Sequence, residues 1–139
     1  MAAVSSRYAR AFADVVLERR LDPTQLRREL GSLAEMLGQN PELRRVWEAP
    51  ALPAAQKRAV LDALAKRLGF SPVLRNFVAV LIDHERIPLL EQIVRQFELE
   101  LDRRLNLAQA EITSARDLSA EEQRVLEAEL ERMIGKKVR

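Results

Sequence analysis

Ser71-Pro72-Val73-Leu74-Arg75-Asn76-Phe77-Val78-Ala79-Val80-Leu81-Ile82 is the stretch on which the fold of this chain turns. Ser71-Pro72 has the form of a helix start, a capping hydroxyl followed by proline at the first helical position. Eight of the ten residues from Val73 to Ile82 are apolar, interrupted only by Arg75 and Asn76. At ~100° per residue those eight cover roughly two-thirds of the helix circumference, against the ~100° stripe that an ordinary surface helix buries. Such a helix is either central to its domain or carries a second apolar face for a partner.

Working outward from it, apolar spacing and punctuation mark six helices. The first runs from about Val4 to Arg19, and Asp22-Pro23 opens the second. That one carries Leu26, Leu30, Leu33 and Leu37 at spacings of four, three and four, a core-facing stripe, and ends near Gly38. Asn40-Pro41 starts a short third helix through Trp47, and Pro50 and Pro53 bracket a loop. The fourth carries Val60, Leu61, Leu64 and Leu68 and stops at Gly69. The fifth is the Ser71 segment, broken at Ile87-Pro88, and the sixth follows with Leu90, Ile93, Val94, Phe97 and Leu101. Short links between successive helices imply a compact bundle over residues 1–105.

After about Leu105 the pattern changes. Ala108, Ala110 and Ile112 alternate with Gln109, Glu111 and Thr113, which predicts a half-buried strand. Ser119-Ala-Glu-Glu122 is a capping box that opens a helix with Val125, Leu126, Leu130, Met133 and Ile134, ended by Gly135. Lys136-Lys137-Val138-Arg139 would suit the start of a second strand. One strand and one helix leave every sheet edge unpaired, so residues 106–139 are expected to be the front of an incomplete α/β domain. The fold class expected is therefore mainly α, a six-helix bundle followed by a strand and a helix.

Composition excludes most chemistry. The chain has 139 residues, 4 glycines, 4% aromatics and no cysteine, which favours helix and rules out disulfides and thiolate metal sites. His84 is the only histidine, and His84-Glu85 lacks the second histidine of a zinc-protease helix. Four scattered glycines make no phosphate loop, and Glu98, Glu100 and Asp102 at spacing two do not share a helix face. No catalytic, cofactor or metal residue is assigned. The basic doublets, such as Arg27-Arg28 and Arg103-Arg104, are interleaved with acids and lack stacking aromatics, so they read as solvated faces and not as a nucleic-acid stripe. There is no secretory pattern at the N-terminus and no apolar run near the ~18 residues that cross a membrane.

The first helix repeats the peculiarity of the fifth. Val4, Tyr8, Ala11 and Val15 form one apolar stripe, and Ala9, Phe12, Ala13 and Val16 form another beside it. Arg7, Arg10, Asp14 and Glu18 remain as the polar side, and the alanines permit close helix approach.

With these residues in view, the chain resembles the δ subunit of F-type ATP synthase, whose mitochondrial relative is the oligomycin-sensitivity-conferring protein. Arg7-Tyr8-Ala9-Arg10-Ala11-Phe12 is similar to the family's opening motif. So, in order, are Asn40-Pro41-Glu42-Leu43, Pro50, Lys57, Asn76-Phe77, Leu81-Ile82, Arg86-Ile87, Ala110–Ala115 and Leu118-Ser119. His84-Glu85 departs from the family, which commonly has Asn followed by Gly or Arg, and the family's C-terminal stretch is not found, so the resemblance is to a C-terminally incomplete member.

The resemblance implies a non-catalytic stator subunit, at the cytoplasmic face of the bacterial membrane only through its complex, supporting proton-driven ATP synthesis. It implies that residues 1–105 grip the N-terminal helix of an α subunit in a groove between helices one and five, and that the C-terminal domain meets the b subunit of the peripheral stalk. On helical wheels Tyr8, Ala11 and Val15 share a line on helix one, and Phe77 and Val80 share one on helix five. These five, with Asp83 at the rim, are the candidate partner-binding set. Phe12, Val16, Leu74, Val78 and Leu81 are the candidates for the bundle's own core. An all-helical RNA-binding factor and an adaptor for some other amphipathic peptide are the alternatives.

Overall fold

The computed structural model describes residues 2–114 and 120–134, which form seven α-helices and one 3-10 turn with no strand among them. They are α1 (Ala2–Glu18), α2 (Pro23–Gln39), α3 (Pro41–Glu48), α4 (Ala54–Leu68), α5 (Pro72–Asp83), the 3-10 turn Ile87–Leu89, α6 (Leu90–Ser114) and α7 (Ala120–Ile134).

The helix starts follow from local chemistry. Pro23, Pro41 and Pro72 each occupy the first turn, where a missing N–H is no loss. Asp22 caps α2 by accepting the Thr24 N–H at 3.0 Å. Ser71 stands at the cap position of α5, but its hydroxyl does not cap the helix. Glu29 of α2 holds it instead, accepting both the Ser71 N–H and the Ser71 hydroxyl at 2.7 Å. A carboxylate thus draws the start of α5 onto α2.

Among the described residues three helix ends use left-handed backbone, and one of the three is a glycine. Gly69 (φ 72°) ends α4, as the sequence predicts. Arg20 (φ 56°) and Glu85 (φ 55°) do the same work after α1 and α5. In each, paired bonds close the turn: Leu21 N–H to the Val16 carbonyl and Arg20 N–H to Leu17, then Arg86 N–H to Leu81 and Glu85 N–H to Ile82. Gly38, expected near the stop of α2, lies inside its last turn, and Asn40 ends the helix with its N–H on the Leu37 carbonyl.

The core lies where the 3.6-residue stripes converge. Leu26, Leu30, Leu33 and Leu37 are all buried, and Phe12, Val16, Leu74, Val78 and Leu81 join them. Ala9 and Ala13 are also buried, which lets α1 lie close along α6. That contact is pinned by Ser5 donating to Gln92 (3.0 Å), Ser6 donating to Gln96 (3.2 Å), and Arg104 reaching Asp14 (2.6 Å). Low numbers meet low and high meet high, so α1 and α6 run parallel.

The strand expected over Ala108–Thr113 is not formed: these residues continue α6, which crosses the boundary expected after residue 105 without a break. The alternation from Ala108 is equally compatible with a helix, because Leu101, Leu105 and Ala108 are spaced four and three. No glycine or proline interrupts the chain from Leu90 to Ser114, and Ala, Gln and Glu all favour helix. Ala108 is buried, while Gln109, Ala110 and Glu111 are exposed, as one helix face demands and a strand would not. α7 then lies against α1 and α6 through Leu126, which packs with Leu17, Leu105 and Ala108. The expected cap at Ser119, the stop at Gly135 and the strand start at Lys136–Arg139 fall outside the described residues.

Candidate partner-binding groove

α1 packs chiefly on α6, and α5 on α4, so the backbones of α1 and α5 stay apart. Two aromatic rings span the gap. Phe12 and Phe77 stack with centroids 4.3 Å apart and planes 16° apart, and Phe97 of α6 closes on Phe12 from below at 5.0 Å. The stacked rings thus bridge two helices whose main contacts lie elsewhere.

The members of the sequence-derived set differ in exposure. Tyr8 and Val15 on α1 and Phe77 on α5 are half-buried; Ala11, Val80 and Asp83 are exposed, Val80 at 43%. By contrast Phe12, Val16, Leu74, Val78 and Leu81 are at most 2% exposed. An apolar side chain as open as Val80, beside half-buried aromatics, is surface that a further helix could cover.

Two further apolar residues continue these lines. Val4 and Val73 are half-buried and pack against the core, each four positions before a member of the set (Tyr8 and Phe77). Val4 already belongs to the stripe read from sequence, and the same spacing could have found Val73. Asp83 is not a free rim carboxylate, since Arg58 of α4 forms an ion pair with it. A second pair ties the same two helices, Arg75 to Asp62 at 2.6 Å and 3.2 Å. The Arg75 hydrogen bond holds the Asp62 carboxyl below its usual range, and Asp62 in turn raises Arg75. These pairs tie α4 to the polar side of α5.

No group of three metal-ligating side chains forms among the described residues, and none of their helices is long and apolar enough to cross a membrane.

A family model described as ATP synthase delta (OSCP) subunit matches residues 4–139. The chain belongs to this family. Among curated relatives, the "ATP synthase subunit delta" of Koribacter versatilis (strain Ellin345) is 50% identical over 139 residues, covering 100% of this chain and 78% of the relative. That of Acidobacterium capsulatum is 43% identical over 126 residues, 91% of this chain and 70% of its own. That of Syntrophobacter fumaroxidans is 31% identical over 135 residues, 97% and 73%. No solved structure gives a significant match. By family membership this δ-family chain is a non-catalytic peripheral-stalk subunit of F-type ATP synthase.

Proposed function

We propose that this chain couples the catalytic head to the peripheral stalk by seating the N-terminal helix of an α subunit in the channel between α1 and α5. The observation that carries the reading is the Phe12–Phe77 floor, flanked by Tyr8, Ala11, Val15 and Val80 with apolar surface still open. An amphipathic helix laid there would cover that surface with anchors spaced three and four apart. The task is mechanical. Torque from the rotor tends to turn the head, and a tightly held helix transmits the resisting force to the stalk without any proton or nucleotide touching this subunit.

The α-subunit contact is assigned to residues 1–105 and the contact with the stalk's b subunit to the chain from residue 106 onward. Attachment to the membrane, on its cytoplasmic face, runs through the complex. Four of the eight arginines in the basic doublets are held in ion pairs, Arg27 with Asp102, Arg58 with Asp83 and Arg103 and Arg104 with Glu100, which favours the protein partner. Titration of the chain with a peptide of the α-subunit N-terminus tests the reading: saturable binding that leaves unlabelled RNA without effect is expected, and absence of binding overturns it.

A further inference from the structure

We propose that the start of α4 is a carboxylate-binding site, formed by the Ala54 and Ala55 N–H groups and the Lys57 ammonium, which takes an aspartate or glutamate side chain of a protein partner. The site stands apart from the α1 and α5 surface assigned above and does not depend on it.

Lys57 is the residue that calls for an occupant. It is 5% exposed, and among the described residues no other charged side chain is so deeply covered. It heads the core stripe of α4, four positions before Leu61 and seven before Leu64. Trp47 of α3, itself buried, fixes the backbone there by donating its indole N–H to the Lys57 carbonyl at 3.2 Å. The ammonium has no hydrogen-bond or ion-pair partner among the described residues, yet the nitrogen is not fully enclosed. A helical side chain leans toward the helix N-terminus and covers the turn before its own Cα. With the core behind it, the apolar stem of Lys57 brings its charge to water past the first turn of α4.

That turn carries no counter-charge. Pro53 at the cap position offers no side-chain acceptor, and no acidic residue stands in the first turn. The Gln56 and Lys57 N–H groups reach the Pro53 carbonyl at 3.1 Å and 3.3 Å, whereas those of Ala54 and Ala55 have no acceptor among the described residues. Free N–H donors, the positive end of the helix dipole and a lysine held over them make a ready anion site. The start of α5 shows such a contact already filled, by the Glu29 carboxylate on the Ser71 N–H at 2.7 Å. Arg58, next along α4, is committed to Asp83. Lys57 is thus left to balance a single charge, which a carboxylate supplies and a doubly charged phosphate exceeds.

The test titrates the isotope-labelled full chain, at constant ionic strength, with acetate, with a blocked Ala-Glu-Ala tripeptide and with inorganic phosphate. The amide shifts of Ala54 and Ala55 are read. Both carboxylates are expected to give saturable shifts there, the tripeptide at least as tightly as acetate. The Thr24 amide, already capped by Asp22, should stay still. Lys57→Met keeps an apolar stem and should weaken both carboxylates about fivefold or more. Absence of saturation, or equal movement of Thr24, overturns the site. Phosphate binding more tightly than acetate overturns the carboxylate, and acetate binding without the tripeptide overturns the protein partner. Unchanged affinity in a folded Lys57→Met chain removes the lysine from the site. Should that variant not fold, the titrations of the unaltered chain still decide the rest.

Discussion

The ring of Phe12 lies 4.3 Å from the ring of Phe77, centroid to centroid, and joins two helices that make their main contacts elsewhere. The two members of this pair differ in exposure: Phe12 is 2% exposed, whereas Phe77 is half-buried. Truncating them should therefore have different consequences. Phe12→Ala empties a core site and is expected to cost about 3–5 kcal/mol in urea unfolding. Phe77→Ala should cost distinctly less and mainly weaken the α-peptide. Equal destabilisation by the two would assign Phe77 to the core.

The left-handed residues at helix ends give a second expectation. Arg20 and Glu85 hold φ near +55°, where a side chain costs about 1–2 kcal/mol that glycine avoids. Part of that gain is offset because glycine loosens the unfolded chain. Arg20→Gly and Glu85→Gly should thus leave stability unchanged or raise it by up to about 1 kcal/mol. Gly69→Ala should lower it by about 1 kcal/mol, through backbone strain alone, since nothing lies within 4 Å of the added carbon. Urea midpoints of the three variants check both signs.

α6 offers a test of secondary structure. Ala110 is exposed, so its replacement reports local preference and little else. Ala110→Val should destabilise by about 0.5 kcal/mol in a helix, where a branched side chain loses rotamer freedom. In a strand the same change would stabilise. A rise in unfolding temperature would restore the strand reading of Ala108–Thr113.

What the sequence makes legible here is periodicity, and what it leaves obscure is choice between competing partners. Leu26, Leu30, Leu33 and Leu37 announce their burial because their spacing matches one helix face. The separation of Tyr8, Ala11 and Val15 from Phe12 and Val16 follows from the same geometry, and their exposures differ accordingly. Alternation from Ala108 is ambiguous because Ala108 satisfies both periods, and the uninterrupted helix upstream decides it. Arginine and glutamate carry no turn signal, so the left-handed backbone at Arg20 and Glu85 could not be foreseen, although the helix ends near them could; capping bonds offset their strain. In sequence Ser71 reads as a helix cap and Asp83 as a rim carboxylate. Their true partners, Glu29 and Arg58, stand 42 and 25 positions away and come near only when helices pack.

Glu100 supplies a dependence on pH. Arg103 at 2.5 Å and Arg104 at 2.9 Å hold its carboxyl below the ordinary range, and Arg104 also reaches Asp14 of α1. A depressed carboxylate stabilises the fold fully above its unfolded value, near about 4.3, and that contribution is lost as pH falls through the lower folded value. Glu100→Gln should therefore cost up to about 1 kcal/mol at pH 7, with the difference from the unaltered chain shrinking below about pH 4. Parallel denaturation at pH 7 and pH 3.5 measures it; a gap that persists in acid would mean the loss is one of packing.

The channel itself is tested at Ala11 and Val80, the two most open positions on its facing lines. Burying roughly 600 Å² of apolar surface under an α-subunit helix would contribute about 15 kcal/mol gross, much of it consumed by association and ordering, so affinity should fall between micromolar and nanomolar. A carboxylate introduced at either site would be buried beneath that helix without a partner and should weaken binding by about 3 kcal/mol, roughly a hundredfold. The free chain exposes both positions to water, so Ala11→Asp and Val80→Asp should keep nearly the unaltered unfolding temperature. Peptide affinity and thermal unfolding measured side by side separate the possibilities. Collapse of folding in both variants would make these positions core, against their exposure in the free chain. Unchanged affinity in two well-folded variants would move the α-subunit contact away from α1 and α5.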